Sequence, residues 1–410
     1  MRIPSPAGRP AARAAAAALA AALSASPSAS PSASPSAAPE SGATEPPAAT
    51  VPAAATVVLP SADAARVRAL ECASGRETGS FPLAQQTPAV VALAPGGDAA
   101  FVAQGRQLLR LSLPALSVQA RGTLAADAST LAASGGADAT VLVAGTRGAP
   151  SMSAHDARSL ALSHEYRPQD GRFASVSSIV DRAQRSRFVV AFSDLDEVWE
   201  IDYGRDAAPV LKGLVHDYRM REAVELPGRF TPRAFEVPGA TRALVAGTVA
   251  HEVLRIDESG ALGVLNLDVR REIERPAVGA SPAPERIAAW RGTHSRGWVL
   301  ANGASPALHV LDSRTWGFAE PLPLDGELLA IGALPDGSVL VALARRGAIS
   351  LVRLDVERRR TDELAAVAGD AARGTAPYRF VSGTDDCRAL VDAGNRWIAG
   401  IARVGKRRGS

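Results

Sequence analysis

Short apolar runs separated by turn residues fill most of this chain from about residue 56 onward. One unit shows the pattern: residues 89–93 form an apolar run, residues 95–98 (PGGD) form a turn, and residues 99–103 form a second run. Further runs follow at residues 107–111 and 116–120. The runs have the length of strands and show no helical period. Successive hairpins without a crossover helix predict a four-stranded antiparallel sheet.

The same unit recurs along the chain. Turns before a second strand are predicted near residues 134–136, 185–186, 238–239, 292–297, 335–337 and 383–385. Their spacing of about 40–55 residues is the period of β-propeller blades. The partial units at the two ends give seven blades if they combine and eight if they stay separate, and we favour eight. The predicted fold class is therefore an all-β propeller of four-stranded antiparallel blades. A stack of sandwich domains is the alternative, but the repeat region contains no linkers that would divide such domains.

The start of the chain has a different composition. Arg2, Arg9 and Arg13 precede an uncharged, alanine-rich run at residues 14–23, which is typical of a cleavable export signal. A low-complexity disordered start is the alternative. The run is shorter than the roughly 20 apolar residues that a spanning helix needs, so we expect a periplasmic protein that is not transmembrane. The predicted organisation is a signal peptide at 1–25, a Ser/Ala/Pro-rich linker at 26–55, the propeller at 56–403 and a basic tail at 404–410.

Charge and aromatic content argue against a nucleic-acid partner. The formal net charge is +3, and three of the positive charges lie in the segment that we expect to be removed. Aromatic residues make up 4% of the chain, which leaves few rings to stack on bases. The basic clusters at residues 358–360 and 406–408 are interpreted as a solvated turn and a solvated tail.

The two cysteines, Cys72 and Cys387, lie near the two ends of the predicted fold. Neither belongs to a Cys-x-x-Cys or Cys-x-x-Cys-His pattern, so neither a zinc site nor a c-type heme is indicated. The ends of a propeller meet, and export would place the cysteines in an oxidising compartment. A disulfide that locks the ring is therefore one interpretation, and two small buried hydrophobic residues are the other.

The most distinctive stretch spans residues 188–268. It contains DLDEVWEIDY at residues 194–203 and VHDYRMRE at residues 215–222. This stretch resembles the heme d1 propeller of cytochrome cd-type nitrite reductases. It is most similar to the NirF-like proteins of heme d1 biosynthesis, which share the HDYRM type of motif. A weaker likeness, for example LHVLDSRTW at residues 308–316, extends over most of the chain.

The resemblance implies an eight-bladed periplasmic propeller that binds heme d1 or its precursor over its central pore. We expect the motif to lie in a connection between blades, among the loops around the pore mouth. His216 is then the candidate metal ligand, and Arg219 or Arg221 would pair with a tetrapyrrole carboxylate. A purely structural loop is the alternative. The candidate ligand-binding residues are His216, Asp217, Tyr218, Arg219, Arg221 and Arg233.

The chain departs from the reductase where that family has histidines. Residues 231–235 read TPRAF and residues 279–284 read GASPAP, both without one. We therefore do not expect a nitrite reductase. Among the six histidines of the chain, the pairs His155-Asp156 and His164-Glu165 are interpreted as hairpin chemistry. The five tryptophans are interpreted as packing between blades rather than as a ligand platform.

Three functions are compatible with these observations. The leading hypothesis is a NirF-like accessory protein of denitrification, whose partners would be the tetrapyrrole, nitrite reductase maturation proteins, or both. The first alternative is a degenerate propeller that has lost the cofactor and serves as a protein-interaction module. The second is an enzyme that acts on a tetrapyrrole precursor. No catalytic residue is assigned, because the chain has no nucleophile elbow, P-loop or His-Glu-x-x-His motif, and a binding protein is favoured over an enzyme.

Overall fold

Strands make up nearly all of the regular structure in the computed structural model. The described residues are 54–84, 87–135, 140–145, 152–167, 174–212, 224–277, 281–301, 307–345, 347–368 and 378–402. Within these ranges the helical elements are two short 3₁₀ turns, Ala183–Arg185 and Pro284–Arg286. No helix in the described part of the chain has the length and apolar character needed to cross a bilayer.

The first half of the chain forms four antiparallel sheets, which are blades 1 to 4. Blade 1 has three strands: β1 (Thr56–Pro60), β2 (Arg66–Glu71) and β3 (Glu77–Pro82). Blade 2 contains β4 (Val90–Leu93), β5 (Ala99–Gln104), β6 (Gln107–Ser112) and β7 (Val118–Thr123). Blade 3 contains β8 (Ala128–Ala133), β9 (Thr140–Gly145), β10 (Met152–Asp156) and β11 (Leu162–Tyr166).

Blade 4 carries an insertion. Its first three strands are β12 (Val176–Arg182), β13 (Arg187–Phe192) and β14 (Glu197–Asp202). A separate two-stranded hairpin then follows, formed by β15 (Val210–Lys212) and β16 (Val224–Leu226). The chain afterwards returns as β17 (Pro232–Glu236), which pairs with β14 and completes the sheet.

The second half of the chain forms blades 5 to 8. Blade 5 contains β18 (Thr241–Ala246), β19 (Glu252–Asp257), β20 (Leu262–Asn266) and β21 (Arg271–Glu274). Blade 6 contains β22 (Ile287–Arg291), β23 (Arg296–Ala301), β24 (Ala307–Asp312) and β25 (Leu322–Pro323). Blade 7 contains β26 (Glu327–Ala333), β27 (Val339–Arg345), β28 (Ala348–Asp355) and β29 (Arg360–Ala368). Blade 8 contains β30 (Arg379–Ser382), β31 (Arg388–Val391) and β32 (Trp397–Ile401). The eight-bladed all-β prediction is confirmed.

Two details of the predicted repeat are wrong. The fourth strand of blade 2 begins at Val118, because Leu116 still lies in the turn with a φ of 56°. The turn at Pro238-Gly239 precedes the first strand of blade 5, and not the second as predicted. Turn residues mark the end of a strand, but their sequence does not say which strand of the blade comes next.

The alternating side chains of each strand pack against the blades on either side. In β13, Phe188 and Val190 pack against blade 3, whereas Val189 and Ala191 pack against blade 5. Successive side chains of a strand point to opposite faces, so a strand with both faces covered is apolar throughout. Eight apolar clusters of this kind occupy the eight junctions between neighbouring blades, including the junction of blade 8 with blade 1. The ring is therefore closed by packing.

The junction of the last and first blades also has covalent and hydrogen-bonded links. Cys72 and Cys387 form a disulfide, with Cα atoms 6.1 Å apart, and both are fully buried. The Thr56 N–H donates to Thr384 Oγ1 at 2.9 Å, and the Thr384 N–H donates to the Thr56 carbonyl at 2.8 Å. Of the two interpretations of the cysteines, the structure has the disulfide.

Candidate functional site

The predicted motif falls in the insertion of blade 4. His216, Asp217, Tyr218, Arg219 and Arg221 lie outside the described residues. In the sequence they stand between β15 and β16, and both of these strands lie between β14 and β17 of a single sheet. The expectation of a connection between two blades is therefore wrong, since the motif belongs to an insertion within one blade.

Arg233, the remaining candidate, lies on β17. The first strands of neighbouring blades contact one another around the axis of the ring, and β17 is the fourth and outermost strand of its blade. Arg233 is consequently at the outer rim of the ring, away from its axis.

A cavity of about 1000 Å³ surrounds this outer edge of blade 4. That volume is at the upper end of the range of ordinary ligand sites. Arg233 pairs in register with Glu200, and its neighbour Ala234 pairs with Trp199. Because side chains alternate, the two pairs lie on opposite faces of the sheet. The cavity therefore has an aromatic half toward blade 3 and an arginine half toward blade 5.

The aromatic half is built from β11 and β14. The rings of His164 and Tyr166 are 4.6 Å apart in an edge-to-face arrangement, and His164 stacks on Phe230 at 6.1 Å. Burial lowers the pKa of His164 below its ordinary value, so the ring stays neutral near pH 7. Trp199 packs edge-on against Phe192 at 4.8 Å and donates its indole N–H to Glu197 at 2.9 Å.

Tyr166 brings an unused donor to this half of the cavity. Its side chain is buried, and its hydroxyl has no hydrogen-bond partner among the described residues. Burial raises the pKa of the phenol far above its ordinary value, so the hydroxyl keeps its proton. A buried polar group without a partner is costly, and a ligand acceptor would remove that cost.

The arginine half centres on Glu200, which is fully buried. Its carboxylate lies 3.2 Å from Arg187, 3.0 Å from Arg270 and 3.8 Å from Arg185. Arg270 belongs to the turn between β20 and β21, so this cluster ties blade 4 to blade 5. A buried carboxylate needs such compensation, because burial without ion pairs would strongly disfavour its charge.

Sequence reasoning missed most of the cavity. His164 had been interpreted as hairpin chemistry, and Trp199 as packing between blades, but both line the cavity. Arg187 and Arg270 attracted no attention, because each begins or precedes an ordinary strand and they are 83 positions apart in the chain. These residues come together only because blades 3, 4 and 5 pack side by side in the fold. No group of three or more His, Cys, Asp or Glu that could hold a metal ion occurs among the described residues.

The fold and this cavity define an eight-bladed propeller with a ligand-sized site in its outer edge. No protein-family model matches the chain, and no curated protein matches it. Among solved structures it is similar to dihydro-heme d1 dehydrogenase NirN in complex with DHE, with a TM-score of 0.60 and 17% identity over 87% of this chain and 76% of that chain. It is also similar to BamB from Moraxella catarrhalis, with a TM-score of 0.54 and 11% identity over 87% of this chain and 94% of that chain. At these identities the likeness concerns the fold.

Proposed function

We propose that this protein is a periplasmic, NirF-like accessory propeller that binds heme d1 or its precursor during nitrite reductase maturation in denitrification. The resemblance implied binding over the central pore, whereas the binding place proposed here is the cavity at the outer rim of blade 4. This cavity is the observation that carries the proposal. It joins an aromatic wall, formed by His164, Tyr166 and Trp199, to an arginine wall formed by Arg187, Arg233 and Arg270. A tetrapyrrole presents a flat apolar macrocycle and carboxylates, which are the chemical complements of these two walls.

Two further observations support the proposal. The chain shares its fold with NirN, a heme d1 enzyme by its description, whose solved structure is a complex with DHE. The residues 215–222, which carry the resemblance to NirF-like proteins, are flanked by the hairpin strands β15 and β16, and Val210 and Leu211 of β15 line the cavity. His216 remains the proposed iron ligand.

The first experiment is an anaerobic titration of the purified protein with heme d1, followed by absorbance. We expect a saturable spectral shift and a rise in melting temperature, because a ligand that binds only the folded state stabilises it. Ala234 is exposed on β17 within the cavity wall, so Ala234→Trp should block binding. The matched control is Ala366→Trp, at an exposed alanine on β29, the outermost strand of blade 7.

The possible outcomes of this titration distinguish heme d1 binding from the alternative functions. A spectral shift that is lost in Ala234→Trp and kept in Ala366→Trp supports the proposal and locates the site. Loss of the Soret change in His216→Ala, with binding retained, would identify the iron ligand. If the absorbance of heme d1 does not change on titration with the wild-type protein, the proposal is wrong. Chemical conversion of the heme d1 precursor would instead favour the hypothesis of an enzyme that acts on a tetrapyrrole precursor.

A protein-interaction propeller is the second candidate, and one observation favours it. Leu211 and Val224 on the hairpin are each 62% exposed, although both are large apolar residues. Leu211 pairs in register with Glu225 and Val224 pairs with Lys212, so each face of the hairpin exposes one of these two side chains. Either face therefore offers an apolar contact to a partner protein. The test is purification of a stoichiometric complex with a single periplasmic protein by the wild type but not by the Leu211→Ser/Val224→Ser variant. Equal recovery with both proteins would exclude the hairpin as the contact surface.

A further inference from the structure

Arg233 is the one arginine of the cavity wall that combines deep burial with an unused donor. Its side chain is 10% exposed, and its Nη1 has no hydrogen-bond partner among the described residues. Its Nη2 donates to the Ala208 carbonyl at 2.6 Å, which fixes the guanidinium against the start of the insertion. A guanidinium has five donors in a planar fork, and the two N–H groups of Nη1 remain for a ligand.

The carboxylate nearest to Arg233 is already engaged. Asp202 lies 3.6 Å from Arg233 Nη1, which is longer than a hydrogen bond. The same carboxylate accepts from Arg187 Nε at 3.3 Å and from the Gly204 N–H at 3.0 Å. Asp202 therefore gives Arg233 charge but no direct bond.

The ion-pair network around Arg233 is short of negative charge. Four arginines, at 185, 187, 233 and 270, contact three carboxylates, those of Glu200, Asp202 and Asp268. These seven groups together carry a net charge of plus one, and Asp268 also contacts His251 at 3.6 Å. Burial and the neighbouring Arg187 lower the pKa of Arg233, against the opposing effect of Asp202. An added anion would relieve both unfavourable effects.

We propose that Arg233 determines ligand specificity by pairing with a carboxylate of the ligand that enters the cavity of blade 4. The inference rests on the proposed function and adds to it: the ligand must carry a free carboxylate, and this group binds at the outer rim. The pair would form through Nη1 and the adjacent donors of the fork, in the bidentate geometry that arginine and carboxylate prefer. Arg233 is a binding residue and takes no part in chemistry.

Arg76 provides a matched contrast outside the cavity, between β2 and β3 of blade 1. Its side chain is 72% exposed, and its Nε donates to Glu71 at 3.3 Å. Solvent screens the charge of this arginine. We expect Arg76→Gln to change ligand affinity by less than about twofold.

The test compares heme d1 with its carboxylate methyl esters on the wild type, Arg233→Gln, Arg233→Lys and Arg76→Gln, by absorbance titration. Esterification removes the charge of the ligand without altering the protein. We expect it to weaken binding to the wild type by about tenfold or more, the size of a charge-assisted hydrogen bond. Arg233→Gln should weaken binding of the free acid by a similar factor and leave binding of the ester unchanged. Arg233→Lys should be intermediate, since it keeps the charge and loses the fork.

Each outcome decides a different point. Equal affinity of the wild type for acid and ester overturns the inference and leaves the proposed function standing. The inference also fails if Arg233→Gln weakens both forms alike in a protein with the wild-type circular dichroism spectrum. If neither form binds, the proposed function fails, and succinate at constant ionic strength becomes the probe. A rise in melting temperature with succinate in the wild type, absent in Arg233→Gln, would support the carboxylate site alone, and no rise in either protein would overturn it.

Discussion

Two arginines that share one carboxylate differ sharply in burial. Arg255 is 1% exposed and lies 2.9 Å from Glu272, and it also bonds Thr241 Oγ1 at 2.7 Å and the Pro238 carbonyl at 2.8 Å. Arg275 contacts the same Glu272 at 2.8 Å but is 44% exposed. Arg255 thus donates to the buried Thr241 hydroxyl, to Glu272 and to the connection before β18. Arg275 contacts the Glu272 carboxylate from the solvent side.

We therefore expect Arg255→Met to lower the free energy of unfolding by about 3–5 kcal/mol, because it removes a buried ion pair together with the donor to the buried Thr241 hydroxyl. Arg275→Met should cost less than about 1 kcal/mol, as is usual for an exposed ion pair. Urea unfolding at neutral pH measures both. Similar losses for the two variants would show that burial does not set the contribution of these pairs.

His155 predicts a dependence of stability on pH. The residue is 2% exposed, with Nδ1 3.1 Å from the Leu160 carbonyl and Nε2 2.8 Å from Ser153 Oγ. A carbonyl only accepts, so Nδ1 carries the proton and Nε2 accepts from the serine hydroxyl. Burial lowers the pKa of His155 below 6.5, and the bond to Leu160 offsets this only in part.

The unfolded chain takes up a proton on this ring near pH 6.5, whereas the folded protein does so only at lower pH. The contribution of His155 is therefore complete above about pH 6.5 and is lost as the pH falls from there through the lowered pKa of the folded state. Each pKa unit of depression corresponds to about 1.4 kcal/mol. We expect unfolding by urea to be easier at about pH 5 than at about pH 7.5, and the difference to shrink in His155→Gln. An unchanged difference would contradict this assignment.

At the scale of elements, the hairpin of blade 4 depends on one glycine. A Cβ at Gly228 would overlap the backbone carbonyl oxygens of Ala207 and Ala208, and the Ala208 carbonyl is the acceptor of Arg233 Nη2. Gly228→Ala should therefore shift the start of the insertion and weaken ligand binding by about tenfold, the value of one charged hydrogen bond. The sheet of blade 4 should survive, because β17 pairs directly with β14.

The control for that substitution is Gly317→Ala. There the nearest atom to the added Cβ would be Thr315 Oγ1 at 3.5 Å, which is an ordinary contact. Binding titrations and melting curves on both variants test the prediction. Loss of cooperative unfolding in Gly228→Ala would mean that the hairpin is part of the folding core, contrary to expectation.

The elements also show how far sequence reasoning reaches. The predicted strand at residues 99–103 matches β5, because a doubly covered strand is apolar at every position and a turn rich in glycine precedes it. The insertion of β15 and β16 was not predicted, since three-residue strands of mixed character have no readable period. The cavity was missed for another reason. Its residues come from separate blades. Arg187 and Arg270 meet around Glu200 only because blades 4 and 5 pack against each other in the folded protein.

At the scale of the whole molecule, the disulfide closes the ring over a sequence separation of 315 residues. In the chain-entropy account, a cross-link over so long a loop stabilises the folded state by up to about 5 kcal/mol. We expect the double variant Cys72→Ala/Cys387→Ala to unfold at clearly lower urea concentration than the wild type, with the blades otherwise formed.

Reduced wild-type protein provides the comparison, because it keeps both sulfur atoms in the apolar junction of blades 8 and 1. It should match the double variant apart from the small packing contribution of the sulfurs. If oxidised and reduced proteins were equally stable, the eight apolar clusters alone would hold the ring.

The same disulfide has a mechanical consequence. Residues 73–386 lie inside a covalent loop, and every strand of blades 2 to 7 belongs to that loop. A force applied to the two chain ends would pass from one cysteine to the other through the sulfur–sulfur bond and bypass these six blades. Only the chain outside the cysteines, which includes β1, β2 and the strands that follow residue 387, could be drawn out. A protease or unfolding motor that threads the protein from either end would therefore stall at the junction of the first and last blades until the bond is reduced.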